Sequence, residues 1–411
     1  MKKTVKLYDT NPYETEFSAV VLDAQTDENG RTASVVLDAT LFFPEEGGQT
    51  PDRGYLAGFP VVDVQIDAAG VITHLIELAA QDAPAPGPGS VFLQGTPVSG
   101  RIDWEHRFSN MQNHSGEHIL SGLLHRYFGY ENVGFRLSDH NVTLDTSGAL
   151  SDSDLERLEQ LANEVVWSNV PIRCEYPSRE VLAAMDYRSK KEIDGPVRIV
   201  TIEGVDVCAC CAPHVARTGE IGMIKILSAE KNRAATRLTF LCGRRALQEM
   251  QRRQKQIVTA SRLMNEPAQT ISSGVQKRLD EICLLKGELY QKELQYIDAR
   301  LSSLPAACDG APDLYLFEAN LSPKAQREFM NALCRQNRRY AGVFVGNDAD
   351  GWKYLIGSRS DDARIPGALL CRKLNAKGGG KSDMVQGSLP ASEKSIREVL
   401  EPDPNPSQEL L

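Results

Sequence analysis

Two short stretches constrain this chain more than any other. NHSGEHIL, residues 113–120, sets His114 and His118 four positions apart, which puts both imidazoles on one face of a helix, one turn above the other. VCACCAPH, residues 207–214, repeats that spacing with Cys210 and His214 and places Cys208 and Cys211 beside them as rivals for Cys210. Imidazole nitrogen and thiolate sulfur are the donors that tetrahedral zinc prefers. A histidine pair or a buried cysteine alone says little. Together, in a chain with seven histidines, they predict one metal ion per chain, and so a fold that carries a loop near residue 210 onto a helix near residue 114.

HSGEH is not the HExxH signature of zinc proteases. That signature needs glutamate directly after the first histidine, where this chain has Ser115 and holds Glu117 two residues later. A protease reading therefore lacks its general base.

The surrounding pattern reads as α+β. Residues 1–95 contain the β-rich runs TVKLY, SAVVLDA, TASVVLDA, GVITHLIEL and SVFLQG, broken by Gly, Pro and Asp, which predicts a small antiparallel barrel. QDAPAPGPGS is a loop by composition. Residues 96–245 predict an α+β domain. It has a helix from Trp104, strands in VGFRLSDHNVTLDT, a capped helix in SDSDLERLEQLANEVVWSN, and strands in PIRCEYP and PVRIVTI. Residues 246–305 predict a helical hairpin interrupted at Asn265-Glu266-Pro267. Its apolar stripe runs through Val275, Leu279, Ile282, Leu285 and Leu289 and is free to pair domains or protomers, which makes a homodimer an expectation. SLPAACDGAPD is a linker, and residues 306–411 alternate strand and helix as a small α/β domain.

Composition narrows the functional classes. No apolar run of about 18 residues exists, so no membrane helix is expected, and MKKTVKLYDT lacks the apolar segment of a secretion signal. Nine scattered cysteines, an odd count, predict reduced thiols in the cytoplasm. The net charge of −9 argues against a nucleic-acid partner taken whole. Between Lys225 and Lys255, however, nine basic residues face only Glu230 and Glu249, and a local strip can bind phosphate inside an acidic protein.

Two glycine motifs remain. GGGKS, 378–382, ends like a phosphate-binding loop, but the position five before Gly380 is Asn375 and the preceding ALLCRKL reads as helix, so an ATP or GTP site is disfavoured. A packed turn explains it, and so does close backbone approach to phosphate. PEEGGQTPDRG, 44–54, lies between strands. A tight turn accounts for its glycines but not for Gln49, Asp52 and Arg53.

LFFPEEGGQTPDRGYL, NHSGEHIL and VRIVTIEGVDVCACCAPHVARTGEIG, in that order, resemble the editing domain of alanyl-tRNA synthetase. LNAKGGGKSDMVQGSLP resembles the glycine-rich signature of the same synthetases' C-terminal domain, the DHHA1 domain shared with DHH phosphoesterases. The resemblance runs from about residue 5 to 390 and begins at the barrel, which fits a freestanding alanyl-tRNA editing protein of the long AlaX type. The chain departs from that family at Glu46, where the loop has glycine, and at Cys211-Ala212-Pro213, where it has Gly-Gly-Thr.

The resemblance implies a trans-editing hydrolase that deacylates Ser-tRNA(Ala), with Gly-tRNA(Ala) as a second substrate. It implies Zn2+ on His114, His118, Cys210 and His214, and Gln49 and Thr50 at the amino-acid pocket. The logic is a second sieve: a pocket shaped for alanine cannot strongly reject glycine or serine, so a later hydrolysis must. Arg244, Arg245, Arg252 and Arg253, with the Gly378, Gly379 and Gly380 run, are the expected tRNA contacts. The competing reading is a non-catalytic tRNA-binding protein with a structural zinc. A phosphoesterase would need the Asp/His clusters of a DHH core, which the sequence lacks.

Overall fold

The computed structural model describes residues 3–78, 92–189, 195–232, 235–305, 312–336 and 338–401. QDAPAPGPGS, most of SLPAACDGAPD, Arg233 and the tail after Glu401 lie outside them. The chain divides into two compact units, Met1–Gln256 and Ile257–Leu411. Among the described residues no helix is long and apolar enough to cross a membrane.

The first unit opens with β1 (Val5–Lys6), β2 (Glu16–Thr26), β3 (Thr32–Leu37), β4 (Ala39–Thr40), β5 (Gly54–Leu56), β6 (Phe59–Ile66), β7 (Ile72–Glu77) and β8 (Pro97–Ile102). Six of these close a barrel in the order β2-β3-β7-β6-β5-β8, antiparallel at every seam. The expected barrel is present, but three of its strands, β5, β6 and β8, were not legible. They start at or next to Gly54, Pro60 and Pro97, residues that mask a strand pattern. SVFLQG is not a strand where it is described, and TVKLY contributes only the two residues of β1, paired with β4 outside the barrel.

Side chains alternate across the barrel wall. In β7 the inward positions are Ile72, His74 and Ile76, all fully buried. His74 is therefore held among aliphatic groups. Its Nε2 lies 2.9 Å from Thr40 Oγ1 and its Nδ1 3.1 Å from Val35 O. Burial pushes its pKa down to about 4.

The rest of this unit is built on α1 (Trp104–Phe128), with β9 (Asn132–Leu137), β10 (Val142–Thr146), α2 (Asp152–Ser168), β11 (Ile172–Glu175), α3 (Arg179–Ala184), β12 (Ile199–Ile202), β13 (Asp206–Ala209), β14 (Ile224–Asn232), β15 (Ala235–Cys242) and α4 (Gly243–Met264). One sheet runs β14-β15-β10-β9 and a second β11-β12-β13. Asp103 caps α1 by accepting from His106 N at 3.2 Å, and Gly129 ends it in the left-handed conformation. Met111, Ile119, Leu120, Leu123 and Leu124 of α1 enter the core between the sheets. Helix α2 starts where its sequence says, with Ser151 and Asp154 capping each other reciprocally.

In the second unit the elements are α5 (Ile271–Ser303), β16 (Leu314–Glu318), α6 (Pro323–Cys334), β17 (Ala341–Asn347), β18 (Gly351–Gly357), α7 (Arg364–Leu374), β19 (Lys377–Gly380), β20 (Met384–Leu389) and α8 (Glu393–Leu400). A five-stranded sheet of order β16-β17-β18-β20-β19 carries the helices. Pro267 falls in the break before α5, as expected. The glycine run is not a packed turn: Gly378–Gly380 lie in β19, an exposed edge strand hydrogen-bonded to β20. On α5 the stripe residues Val275, Leu279, Ile282, Leu285 and Leu289 are 42–57% exposed, whereas Ile297 is buried against Leu316 and Phe329.

Candidate metal centre

His114 and His118 project from the middle of α1, and the loop after β13 brings Cys210 and His214 to them. Ligand atoms of the four side chains all lie within 4.8 Å of one another. His114 Nε2 is 3.5 Å and His214 Nε2 3.4 Å from Cys210 Sγ. The nitrogen–sulfur edge of a tetrahedral zinc site, built from ordinary bond lengths, is about 3.5 Å, so the donor set and its spacing fit such an ion.

Each histidine is turned by a partner on its other nitrogen. His114 Nδ1 lies 2.8 Å from Gln49 Oε1, His118 Nδ1 2.8 Å from Asp206 Oδ2, and His214 Nδ1 3.0 Å from Ser115 Oγ. Three anchored Nδ1 atoms leave three Nε2 atoms facing inward, the orientation that partners of metal-bound histidine impose. Burial pushes the Cys210 thiol well up and the His214 imidazole well down. Without a cation the cluster resists charge, and a bound cation reverses that for the thiol.

The rival cysteines fall elsewhere. Cys208 groups with His118 and Asp206, but Arg188 Nε is 2.9 Å from Asp206 Oδ1, so a guanidinium already neutralises that carboxylate. Cys211 faces the glycine loop, its Sγ 3.3 Å from where a Cβ on Gly47 would stand. The two departures noted in sequence, Glu46 and Cys211, are thus neighbours, and burial, with the negative charge of Glu46 nearby, pushes the Cys211 thiol up to about 12.

The sequence did not single out Asp206, Arg188 or Arg198. Gly122 is the trace of Asp206: a Cβ there would lie 2.3 Å from Val205 O, so only glycine lets the turn before β13 approach α1 one turn beyond His118. Arg198 holds the cysteine loop, its Nη1 3.2 Å from Cys210 O and 2.8 Å from Ala212 O.

The loop PEEGGQTPDRG forms the other wall. It is stitched to β9 through Leu137 N to Gly48 O at 2.7 Å and Thr50 N to Leu137 O at 3.2 Å. Gly48, at φ +82°, has Phe135 O 2.5 Å from where its Cβ would be. Gln49 is 1% exposed. Its Nε2 and Thr50 Oγ1 are buried with no hydrogen-bond partner among the described residues. Asp52 is fully buried on Arg107 of α1. Arg53 pairs with Asp139, whose Oδ1 is 3.1 Å from His106 Nε2. The three loop residues that turn geometry did not explain therefore have three separate tasks.

Several cations of the basic strip have partners within the chain. Lys225 bonds Glu159 at 2.6 Å and Arg237 forks onto Asp145 at 2.7 and 2.8 Å. Arg245 is committed inward, with Nε on Ser109 Oγ, Nη1 on Ser138 O and Nη2 on Asn110 Oδ1 at 2.7–2.8 Å. These bonds tie α4 to α1 through Ser109 and Asn110. Arg244, Arg252 and Arg253 are exposed on α4, opposite Glu105 and Glu249.

The family described as the threonyl and alanyl tRNA synthetase second additional domain matches residues 197–238. The chain is 27% identical to the alanyl-tRNA editing protein Aarsd1 of Danio rerio, over 90% of this chain and 89% of that one. It is 26% identical to the alanyl-tRNA editing protein AlaX-L of Pyrococcus horikoshii, over 96% of each. It is 30% identical to the alanine–tRNA ligase of Pyrococcus furiosus, over 97% of this chain but 43% of that enzyme. The resemblance to AlaX-type editing proteins extends over nearly the whole chain.

Proposed function

We propose that this chain is an aminoacyl-tRNA deacylase that removes serine, and secondarily glycine, from tRNA(Ala) by hydrolysing the aminoacyl ester. The observation that carries the reading is the pairing of Gln49 and His114. One end of the Gln49 amide orients a histidine of the metal cluster, while its Nε2 and the neighbouring Thr50 Oγ1 are buried and unpartnered. An unpaired buried polar atom costs about 1–3 kcal/mol, so the site gains by receiving a ligand with hydrogen-bonding groups. A seryl hydroxyl is such a group, and an alanyl methyl is not.

His114, His118, Cys210 and His214 would hold one zinc. Bound there, zinc supplies Lewis acidity toward an ester carbonyl or a water. Gln49 and Thr50 grip the amino-acid side chain and fix the ester above the cluster. Arg244, Arg252 and Arg253 contact the tRNA backbone, and the exposed edge at Gly378–Gly380, in a C-terminal unit of DHHA1 type, gives a second contact. The stripe on α5 pairs two copies of the chain. A reducing cytoplasm keeps Cys210 available as a thiolate donor.

The deciding experiment is incubation of the purified, zinc-loaded protein with Ser-tRNA(Ala), Gly-tRNA(Ala) and Ala-tRNA(Ala). Fast release of serine with Ala-tRNA(Ala) spared supports the reading, and equal cleavage of all three ends it. The competing reading, a tRNA-binding protein with structural zinc, draws on the four protein donors, which fill a tetrahedral shell. It predicts that zinc restores the fold and tRNA binding with no ester hydrolysis.

A further inference from the structure

Asp52 and Arg107 are each 0% exposed. Arg107 Nε is 3.0 Å from both Asp52 oxygens, and Nη2 bonds the same carboxylate and Leu41 O. Nη1 reaches Pro12 O at 3.1 Å. Asp52 Oδ2 also accepts from Phe43 N at 2.6 Å, and Asp52 N donates to Phe43 O at 2.9 Å. Every side-chain polar atom of the pair is thus engaged, the condition under which a buried ion pair holds one geometry.

Its place in the chain gives that geometry a use. Asp52 follows Gln49 by three residues and Thr50 by two. Arg107 precedes His114 by seven, two helical turns, so both lie on one side of α1. The pair therefore bolts the loop that carries the unpartnered Gln49 Nε2 and Thr50 Oγ1 to the helix that carries two members of the metal cluster. Leu41 O and Pro12 O add segments beside the barrel to the same guanidinium.

We infer that Asp52 and Arg107 are positioning residues: they set the reach of Gln49 and Thr50 over the metal cluster, and discrimination between aminoacyl esters depends on them while metal binding does not. For its activity readout the inference rests on the deacylase reading above. The plainer alternative is a core ion pair that only holds barrel to helix. It would affect stability and leave the loop's order and the enzyme's selectivity alone.

The test uses the full chain with zinc and the substitution Arg107→Lys. Lysine keeps the charge but cannot make the fork to Asp52, Leu41 O and Pro12 O together. Asp52→Asn is the second variant, and if it fails to fold Arg107→Lys decides. Three quantities are read: zinc per chain, amide exchange at Gln49, Thr50 and Asp52, and the ratio of seryl to alanyl ester hydrolysis. We expect full zinc, exchange at these amides faster by about tenfold with α1 unchanged, and a selectivity ratio lower by about tenfold or more, through kcat for the seryl ester. Folded, zinc-loaded Arg107→Lys with wild-type exchange and wild-type selectivity overturns the inference. If wild type hydrolyses neither ester, the deacylase reading falls. Loop exchange then judges the clamp alone: faster exchange in Arg107→Lys supports it and unchanged exchange removes it.

Discussion

Gln49 Oε1 stands 2.8 Å from His114 Nδ1, so one amide orients a metal-cluster histidine while its Nε2 stays buried without a hydrogen-bond partner among the described residues. Gln49→Ala removes both ends of that amide. Deacylation of Ser-tRNA(Ala) should fall about 100-fold or more, while zinc is retained with affinity lower by about tenfold, the usual scale for losing a partner of a ligating histidine. Metal analysis and single-turnover hydrolysis on the same preparation check this. Wild-type hydrolysis would remove Gln49 from the pocket.

The four-donor cluster makes a sharper statement about the cysteines. Cys210→Ala and His114→Ala should each purify without stoichiometric zinc. Cys208→Ala and Cys211→Ala should keep one ion per chain, because those thiols lie outside the group formed by His114, His118, Cys210 and His214. Loss of zinc on Cys208→Ala would transfer the ligand role to that residue.

Asp206→Asn tests the outer layer. Asn cannot supply the negative charge that Asp206 presents both to His118 Nδ1 and to Arg188. We expect zinc affinity to drop by about 10- to 100-fold in chelator competition with the fold intact. Unchanged affinity would make Asp206 a simple spacer.

What the sequence showed and hid follows from range. The i, i+4 spacing of His114 with His118 and of Cys210 with His214 is local, so the cluster was legible, as were the capped helix at Ser151 and the break at Pro267. Asp206 and Arg188 act across turns that bring distant segments together, and no periodicity marks them. Short barrel strands such as Gly54–Leu56 carry too few residues for alternation to show. Arg245 looked like one more surface cation because a basic run gives no sign of which member points inward. Asp52 and Arg107 are 55 positions apart, and only the fold pairs them.

His74 gives the barrel a pH dependence. Its pKa is lowered to about 4 by burial, against about 6.5 in an unfolded chain. Between those values the unfolded state binds a proton that the native state refuses, so stability falls as pH drops from about 6.5 to about 4 and is fully present above that window. The contribution is about 3 kcal/mol over the window. His74→Gln keeps hydrogen-bonding capacity without titrating there. Its unfolding free energy, measured by denaturant titration at several pH values, should lose less than wild type on acidification. Parallel pH profiles would show that other groups set the acid limb.

The exposed cations of α4 carry the last prediction. Arg244, Arg252 and Arg253 are 59%, 61% and 43% exposed at their side chains. Their partners are the exposed Glu105 and the half-buried Glu249, and Arg252 with Arg253 holds Glu249 down at about 2. Exposed pairs of this kind are worth little, so a phosphate can displace the carboxylate at small cost. Removing one cation from a phosphate lowers the salt slope of log K by about 0.9 on duplex nucleic acid. The triple variant Arg244→Gln, Arg252→Gln, Arg253→Gln should therefore bind tRNA more weakly, with a slope shallower by about 2 to 3. It should hydrolyse a short acceptor-stem ester at a rate near wild type. Arg245→Gln belongs to a different class: its guanidinium bonds Ser109, Ser138 and Asn110, so it should lower thermal stability before it changes the salt slope. If the triple variant keeps both affinity and slope, α4 is a solvated helix and the tRNA backbone is held elsewhere on the molecule.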